Sequence, residues 1–151
     1  MSDLERIAFE SAVRALDKQE KVLEELRART GILLGASSLA ASLLGATALG
    51  PHHAEWLVLV LLGAFVTSLG ASLFVLLPRD GFVFSLNARE LYERFYGVEL
   101  AETYRRLTYD LTYFWDDNDA QLAPVRRVFR LAAFALAVEV VGLLLLAGDT
   151  L

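Results

Sequence analysis

Three long stretches of this chain carry no charged residue apart from one glutamate. They cover residues 31–50, 56–77 and 131–148, which are 20, 22 and 18 residues long. A bilayer core about 30 Å thick is crossed by about 20 apolar helical residues, because each residue adds about 1.5 Å. Hydrophobic residues reach 56% of the chain, above the roughly 45–50% of soluble proteins. The sequence therefore predicts an all-α integral membrane protein with three transmembrane helices.

The positions of lysine and arginine predict the orientation of these helices. Six of these residues precede the first stretch and eight lie between the second and third, which accounts for all 14 in the chain. Because cytoplasmic segments carry the excess of Lys and Arg, we expect the amino terminus inside and the carboxyl terminus outside. One multi-pass domain in a bacterial inner (plasma) membrane would then consist of a cytoplasmic helix (1–30), the first span (31–50), an outer hairpin loop (51–55), the second span (56–77), cytoplasmic helices (78–130), the third span (131–148) and an outer tail (149–151).

The amino-terminal arm has the pattern of an amphipathic helix. Phe9, Leu16 and Leu23 recur seven residues apart within residues 3–29, and charged residues fill the other face. The simplest interpretation is a helix that continues into the first span. The alternative is a cytoplasmic coiled coil that joins subunits, which the short heptad run and Gln19 at a core-like position disfavour.

The segment between the second and third spans is predicted to form three helices. The first, capped by Asn87 or Ser85, would run through Tyr96 and be ended by Gly97. The second would cover residues 99–115. The run Asp-Asp-Asn-Asp at 116–119 would then break the chain and cap a long helix that enters the third span.

A proline and a group of aromatic residues in this segment each allow more than one interpretation. Pro124 fits the last helix only if it lies in the first turn. Aromatic side chains crowd the segment at spacings of three to four, which indicates a packed helix face, with the lipid headgroup layer and a base-stacking nucleotide pocket as competing interpretations. These side chains are Tyr92, Phe95, Tyr96, Tyr104, Tyr109, Tyr113, Phe114 and Trp115.

Glu139 is the charged residue inside the third stretch. It lies nine residues beyond Arg130, which places it about 13–14 Å deep at about 1.5 Å per residue, near the bilayer midplane. A carboxyl group there is expected to face a bundle interior or a water-filled cavity. Ala132, Ala135, Glu139 and Gly142 follow a 3-4-3 spacing, so Glu139 shares a face with small residues.

Hydroxyl groups lie at a similar predicted depth on the other two spans, and no cation does. They belong to Ser38, Ser42, Thr67 and Ser68. Glu139 is therefore expected to be protonated and hydrogen-bonded to one of them, which would lock the bundle, or hydrated in a pore. A cation-selective ring of Glu139 side chains from several subunits is the main alternative, and contact with lipid is the third.

Small residues form regular seams that predict close helix packing. The glycines Gly31, Gly35 and Gly45 lie in the first span, Gly63 and Gly70 in the second, and Ala135 and Gly142 in the third. Small side chains let helix backbones approach in lipid. Three helices from one chain do not enclose an aqueous path, so a pore would require a homo-oligomer.

Motifs for other functions are weak or missing from the sequence. His52, His53 and Glu55 lack the fixed spacing of a zinc site, and residues 116–119 lack the rest of an EF-hand loop. No P-loop, dinucleotide fingerprint or nucleophile–base pair is recognisable, and a net charge of −5 argues against a nucleic acid polymer as partner. We expect no enzyme activity, no metal and no cofactor.

Two junctions between arm and span carry a family resemblance. Residues 23–34 read LEELRARTGILL and residues 122–131 read LAPVRRVFRL. In this layout the chain resembles the small membrane effectors of bacterial nucleotide-signalled antiphage systems, the SLATT and Pycsar transmembrane (PycTM) group. The resemblance implies an effector that depolarises the membrane when activated by a nucleotide signal or a sensor protein. Because 151 residues leave no room for an appended nucleotide-binding module, sensing is expected to come from the cytoplasmic helices or a second protein.

The sequence thus predicts an oligomeric pore or channel-type effector gated through its cytoplasmic helices, and the resemblance implies a role in antiphage defence by membrane depolarisation. The alternative is a non-conducting scaffold or regulatory subunit that docks a soluble cytoplasmic partner, with Glu139 serving only to hold helices together.

Overall fold

The computed structural model describes residues 3–47 and 55–148, and the side-chain surroundings of residues 3–43 and 56–146. Within these ranges the chain is helical with short connecting segments and no strand. The helices are α1 (Asp3–Thr47), α2 (Glu55–Leu76), α3 (Ala88–Phe95) and α4 (Leu100–Gly148). The prediction of an all-α chain is therefore confirmed.

The chain divides into two compact units. Unit 1 comprises Met1–Glu24 and Arg79–Ala123, and unit 2 comprises Glu25–Pro78 and Pro124–Leu151. Helices α1 and α4 contribute residues to both units, whereas α2 belongs to unit 2 and α3 to unit 1. The interior of each unit is described separately below.

In unit 1, the amino-terminal part of α1 packs against α4 of the same chain. Phe9 contacts Tyr104 with ring centroids 5.2 Å apart, and the Gln19 side-chain amide donates to the Trp115 carbonyl at 3.0 Å. From the first of these contacts to the second, the residue numbers increase along both α1 and α4. The two helices therefore run parallel in unit 1. Leu16 is buried on the same face, which confirms the amphipathic helix. The buried Gln19 is satisfied through its amide nitrogen alone, since its Oε1 has no hydrogen-bond partner within the described residues.

Helix α3 begins after Asn87, one of the two predicted caps, and ends at Phe95, one residue before the predicted end at Tyr96. The Asn87 side chain accepts a hydrogen bond from the Arg89 backbone amide and caps the helix. Gly97 has a φ of 77°, a left-handed conformation that glycine adopts without steric strain. These two residues set the boundaries of α3.

The first turns of α4 are held by a cluster of charged residues. Arg106 Nε donates to Glu102 Oε1 at 2.6 Å, and Arg105 pairs with the other oxygen. The hydrogen bond from Arg106 lowers the pKa of Glu102, with help from the positive charge of Arg105. A carboxylate near a helix amino terminus also interacts favourably with the helix dipole.

The predicted break at residues 116–119 is wrong, because α4 is continuous from Leu100 to Gly148. Asn118 was expected to cap a new helix, but its side chain is buried. Its Oδ1 accepts from the Val83 amide at 3.1 Å, and its Nδ2 donates to the Val83 carbonyl at 2.9 Å. Because this side chain bonds to the preceding loop, it does not compete with the backbone hydrogen bonds of α4.

Pro124 lies inside α4 and not in a first turn, contrary to the prediction. A proline there removes one backbone hydrogen bond and costs roughly 3 kcal/mol in an isolated helix. Leu122 and Val125, on either side, are each about 1% exposed. Burial of these side chains offsets the loss and holds the helix together through the proline.

Contacts in unit 2 fix the relative directions of its three helices. Leu61 of α2 packs over Gly142 of α4, while Phe65 lines the same small cavity as Glu139. The two helices are therefore antiparallel. Ser37 of α1 bonds Glu139, and residues 40 and 41 line that cavity with Leu143, so α1 and α4 are parallel in this unit.

Two helices are long and apolar enough to cross a membrane. The candidate segments are Trp56–Leu76, with a mean hydropathy of 2.3, and part of Leu100–Leu146, with 2.2. Large apolar side chains cover the outside of unit 2, where exposed patches of this kind suggest contact with lipid or protein. They include Ile32, Leu39, Leu59, Phe134 and Leu144. These observations suggest a membrane location; α1 carries residues 31–47 of the predicted first span.

Candidate functional site

The interior of unit 2 contains a carboxyl–hydroxyl pair. Ser37 Oγ lies 2.8 Å from Glu139 Oε2 and 3.0 Å from Oε1. Both side chains are buried, with exposed fractions of 1% and 3%. Helix α1 supplies the hydroxyl and α4 the carboxyl. The hydrogen-bonded pair therefore connects the two helices through residues that are 102 positions apart in sequence.

The geometry of this pair suits a protonated carboxyl group. A serine hydroxyl has one hydrogen to donate and can also accept. With a neutral Glu139, Ser37 donates to one carboxyl oxygen and accepts from the other, so both short distances are hydrogen bonds. Glu139 is the only charged residue within residues 30–47, 56–78 and 131–148. These segments therefore contain no Lys or Arg side chain that could neutralise an ionised carboxylate.

A small cavity adjoins Glu139. It offers about 10 Å³ to the centre of a water molecule, and about 10–15 Å³ is the volume that one water needs by this measure. Its lining residues come from all three helices and are otherwise apolar: Ala40, Ala41, Leu61, Phe65, Glu139 and Leu143. The carboxyl group is thus the polar partner available to a molecule in this space.

Two further hydroxyls are buried on α2. Ser68 and Ser72 are each 0% exposed, and neither Oγ has a hydrogen-bond partner within the described part of the chain. They lie on the α2 face that carries Leu61 and Phe65, since the spacing 61, 65, 68, 72 steps by four, three and four. Ser68 was among the predicted polar residues, and the structure places it on this inner face.

The other three predicted hydroxyls face outward. Ser38 donates to the Leu34 carbonyl and Thr67 to the Gly63 carbonyl, both at 2.8 Å within their own helices. Ser42 is also exposed. The partner of Glu139 is therefore Ser37 and not one of the four hydroxyls expected from depth alone.

The predicted packing residues fall into two groups. Ala135 is buried, and Gly142 lies under Leu61 so closely that a Cβ atom there would overlap a leucine methyl group. In contrast, Gly31, Gly35, Gly63 and Gly70 have open space where a Cβ would be, so their packing against another helix stays a prediction. The surroundings of Gly45 lie outside the described residues.

Sequence reasoning missed Ser37 and Ser72. The seam chosen on α1 contained Ser38, but residues 30, 34, 37 and 41 form an equally regular 4-3-4 pattern on the adjacent face. Thr30 and Ser37 are both fully buried on that face. Ser72 could have been found by extending the step of four from Ser68. The signal in both cases is a second polar residue at helical spacing.

The aromatic residues of unit 1 are divided between interior and surface. Phe95 is buried and Tyr104 packs on Phe9, as expected of a packed face. Four tyrosines are instead exposed by about two-thirds or more, and two of them contact each other. These are Tyr92, Tyr96, Tyr109 and Tyr113.

A pocket of about 400 Å³ lies between α3, α4 and the loop before α3 in unit 1. Its walls include Phe95, Tyr113 and Phe114. The charged residues Arg94 and Asp110 line it and pair at 2.8 Å. The arrangement supplies aromatic surface, but its arginine is already engaged by a carboxylate.

Metal-binding geometry is not found in the described ranges. Within residues 3–47 and 55–148, no three His, Asp or Glu side chains come together as a metal site. His52 and His53, together with the rest of the predicted loop before residue 55 and the tail at 149–151, lie outside the described residues.

No family model, curated protein or solved structure matches this chain. The resemblance to the SLATT and PycTM group therefore stays a prediction from the sequence.

Proposed function

We propose that the chain is a three-span membrane protein that forms a homo-oligomeric pore, gated through its cytoplasmic helices. The observation that carries the proposal is the polar interior of unit 2 beneath an apolar surface. Thr30, Ser37, Ser68, Ser72 and Glu139 are buried there, whereas leucines, valines and phenylalanines face outward. Buried ionisable groups in membrane segments commonly mark ion or proton pathways.

In this proposal the Ser37–Glu139 pair holds the closed state. An ionised Glu139 would lose one of the two hydrogen bonds to Ser37 and would require water around it. Separation of α1 and α4 would expose the carboxyl to a water path, where a negative charge favours cations. The open glycine faces of α1 and α2 would allow close approach of a second copy.

The resemblance to nucleotide-signalled effectors suggests the biological role. Depolarisation of a bacterial inner membrane would be the output, with a sensor protein or nucleotide acting on unit 1. The exposed tyrosines and the aromatic pocket of unit 1 are the surfaces on which such a signal could act.

Planar-bilayer recording of purified protein tests the proposal. Glutamine matches the shape of a neutral glutamic acid and can still donate to and accept from Ser37. Glu139→Gln should therefore keep the assembly intact while reducing cation preference in the reversal potential. Glu20→Gln removes the same charge at an exposed position and should behave like the wild type.

A non-conducting scaffold is the second candidate, and the exposed tyrosines favour it because tyrosine is enriched at binding hot spots. It predicts no current from the wild type or from variants that separate Ser37 from Glu139. It also predicts loss of a cytoplasmic partner when Tyr92 and Tyr96 are replaced by serine. A strictly monomeric protein in mild detergent and in nanodiscs would exclude the oligomeric pore.

A further inference from the structure

The inner face of α2 changes character along its length. Leu57 and Leu61 pack with Leu143 and Leu146 of α4 in an apolar group, here called the leucine cluster. Toward the carboxyl end of α2, the same face continues with Phe65 and then with the hydroxyls of Ser68 and Ser72. Glu139 lies at the boundary, because it shares its cavity with Leu61 and Phe65.

The residues opposite these hydroxyls are small. Helices α2 and α4 are antiparallel, with Leu61 against Gly142 and Phe65 beside Glu139. Continuing this register by one turn and then another brings Ser68 to the level of Ala135 and Ser72 to that of Ala132. Both alanines are buried, with exposed fractions of 5% and 0%. This half of the interface therefore combines hydroxyls with the smallest apolar side chains of α4.

The burial of these two hydroxyls without hydrogen-bond partners lowers the stability of the folded protein. A buried polar group without a partner costs about 1–3 kcal/mol. Thr67, the neighbour of Ser68 on the outer face, avoids this by bonding to the Gly63 carbonyl, whereas Ser68 and Ser72 make no such bond. Water commonly satisfies buried polar groups of this kind, and the water-sized cavity beside Glu139 reaches Phe65, one turn from Ser68.

The two ends of this interface differ in polarity. The leucine cluster supplies four side chains over two helical turns on one side of Glu139. On the other side, Val75 is the last buried residue of α2, one turn beyond Ser72. Ala132 and Val125 of α4 are also buried on that side, but the hydroxyls of Ser68 and Ser72 make it the more polar of the two sides of Glu139.

We infer that water reaches Glu139 from the carboxyl end of α2, along Ser72 and Ser68, and that the leucine cluster closes the opposite side. The inference rests on the membrane location proposed above, but not on conduction. It gives the carboxyl group access to water and protons from one side of the membrane, which the positive-inside pattern identifies as the cytoplasm.

Single-cysteine labelling tests this path directly, because the chain contains no cysteine. The variants Ser68→Cys and Ser72→Cys nearly preserve side-chain size. Both are treated with a membrane-impermeant thiol reagent in inside-out and right-side-out bacterial membrane vesicles. We expect labelling in inside-out vesicles about tenfold faster than in right-side-out ones, because a thiol must meet water to form the reactive thiolate.

Two matched positions serve as controls. Thr67→Cys lies beside Ser68 but faces the proposed lipid, and Leu146→Cys lies in the leucine cluster away from the cavity beside Glu139; both should stay unlabelled in either vesicle type. Adding Val75→Ala to Ser72→Cys should accelerate labelling several-fold. Circular dichroism and membrane extraction establish that each variant is folded and inserted.

Each result has a distinct meaning. Labelling of Ser68→Cys and Ser72→Cys no faster than of Thr67→Cys would overturn the water path. Faster labelling in right-side-out vesicles, or equally fast labelling of Leu146→Cys, would overturn its direction. Rapid labelling of Thr67→Cys from both sides would instead refute the membrane location, and absence of current with the expected labelling would refute the pore alone.

Discussion

Ser37 and Ser38 illustrate how a shift of one residue changes the surroundings of a side chain on a helix. They are adjacent and chemically identical, yet successive residues point about 100° apart. Ser37 meets Glu139 inside unit 2, whereas Ser38 bonds to its own helix and faces outward. Depth arithmetic gives both nearly the same level. The sequence could therefore predict that Glu139 needs a hydroxyl partner, but not which of two neighbours supplies it.

At the same scale, Gly142 and Gly63 should respond differently to alanine. A Cβ at Gly142 overlaps Leu61, which is itself buried in the leucine cluster. Gly142→Ala should therefore destabilise the protein by about 1–3 kcal/mol through overpacking. Gly63→Ala meets open space and should be neutral or stabilise by up to about 1 kcal/mol. Thermal unfolding in detergent compares the two, and equal midpoints would contradict the packing described for Gly142.

At the scale of elements, the boundaries of α3 could be predicted because they depend on local chemistry. Asn87 caps its own helix, and Gly97 adopts the positive φ expected of a stop signal. The amphipathic pattern of α1 was equally informative, since the seven-residue spacing of Phe9, Leu16 and Leu23 reflects packing on one face. In both cases the residues that carry the pattern belong to the helix that they define or lie directly beside it in sequence.

The continuity of α4 could not be predicted in this way. Residues 116–119 have the composition of a cap, and Pro124 is a helix breaker in isolation. The decisive contact is with the Val83 backbone, 35 residues earlier. Its amide and carbonyl form hydrogen bonds with both polar atoms of the Asn118 side chain. A tertiary contact of this separation leaves no local signal in sequence.

Replacement of Asn118 should therefore weaken unit 1 without breaking α4. Asn118→Ala removes both hydrogen bonds and leaves the Val83 amide and carbonyl without their partner, at a cost of about 2–3 kcal/mol. Asp116→Ala, at an exposed position two residues earlier, should change stability by less than about 0.5 kcal/mol. Chemical unfolding monitored by circular dichroism measures both. A large loss of helix in native Asn118→Ala would indicate that Asn118 acts as a cap after all.

At the scale of the whole molecule, the composition of each segment predicted which parts of the chain are apolar. It did not predict which residues contact each other. Long apolar stretches correspond to α2 and to the end of α4, which suggest a membrane location. The number of spans and their orientation stay predictions based on length and charge. Subunit number is not encoded in any pattern of this chain, because the outward glycines of α1 and α2 are compatible with several symmetric arrangements.

In the proposed function the Ser37–Glu139 pair holds a membrane pore closed, and ion flux from proteoliposomes measures whether it does. Ser37→Ala leaves the buried carboxyl without its partner and should raise potassium efflux well above the wild type. Ser38→Ala, one residue away on the lipid side, should leave efflux unchanged. If neither variant released potassium faster than the wild type, with correct insertion and oligomeric state, the pair would not act as a lock and the scaffold function would replace the pore.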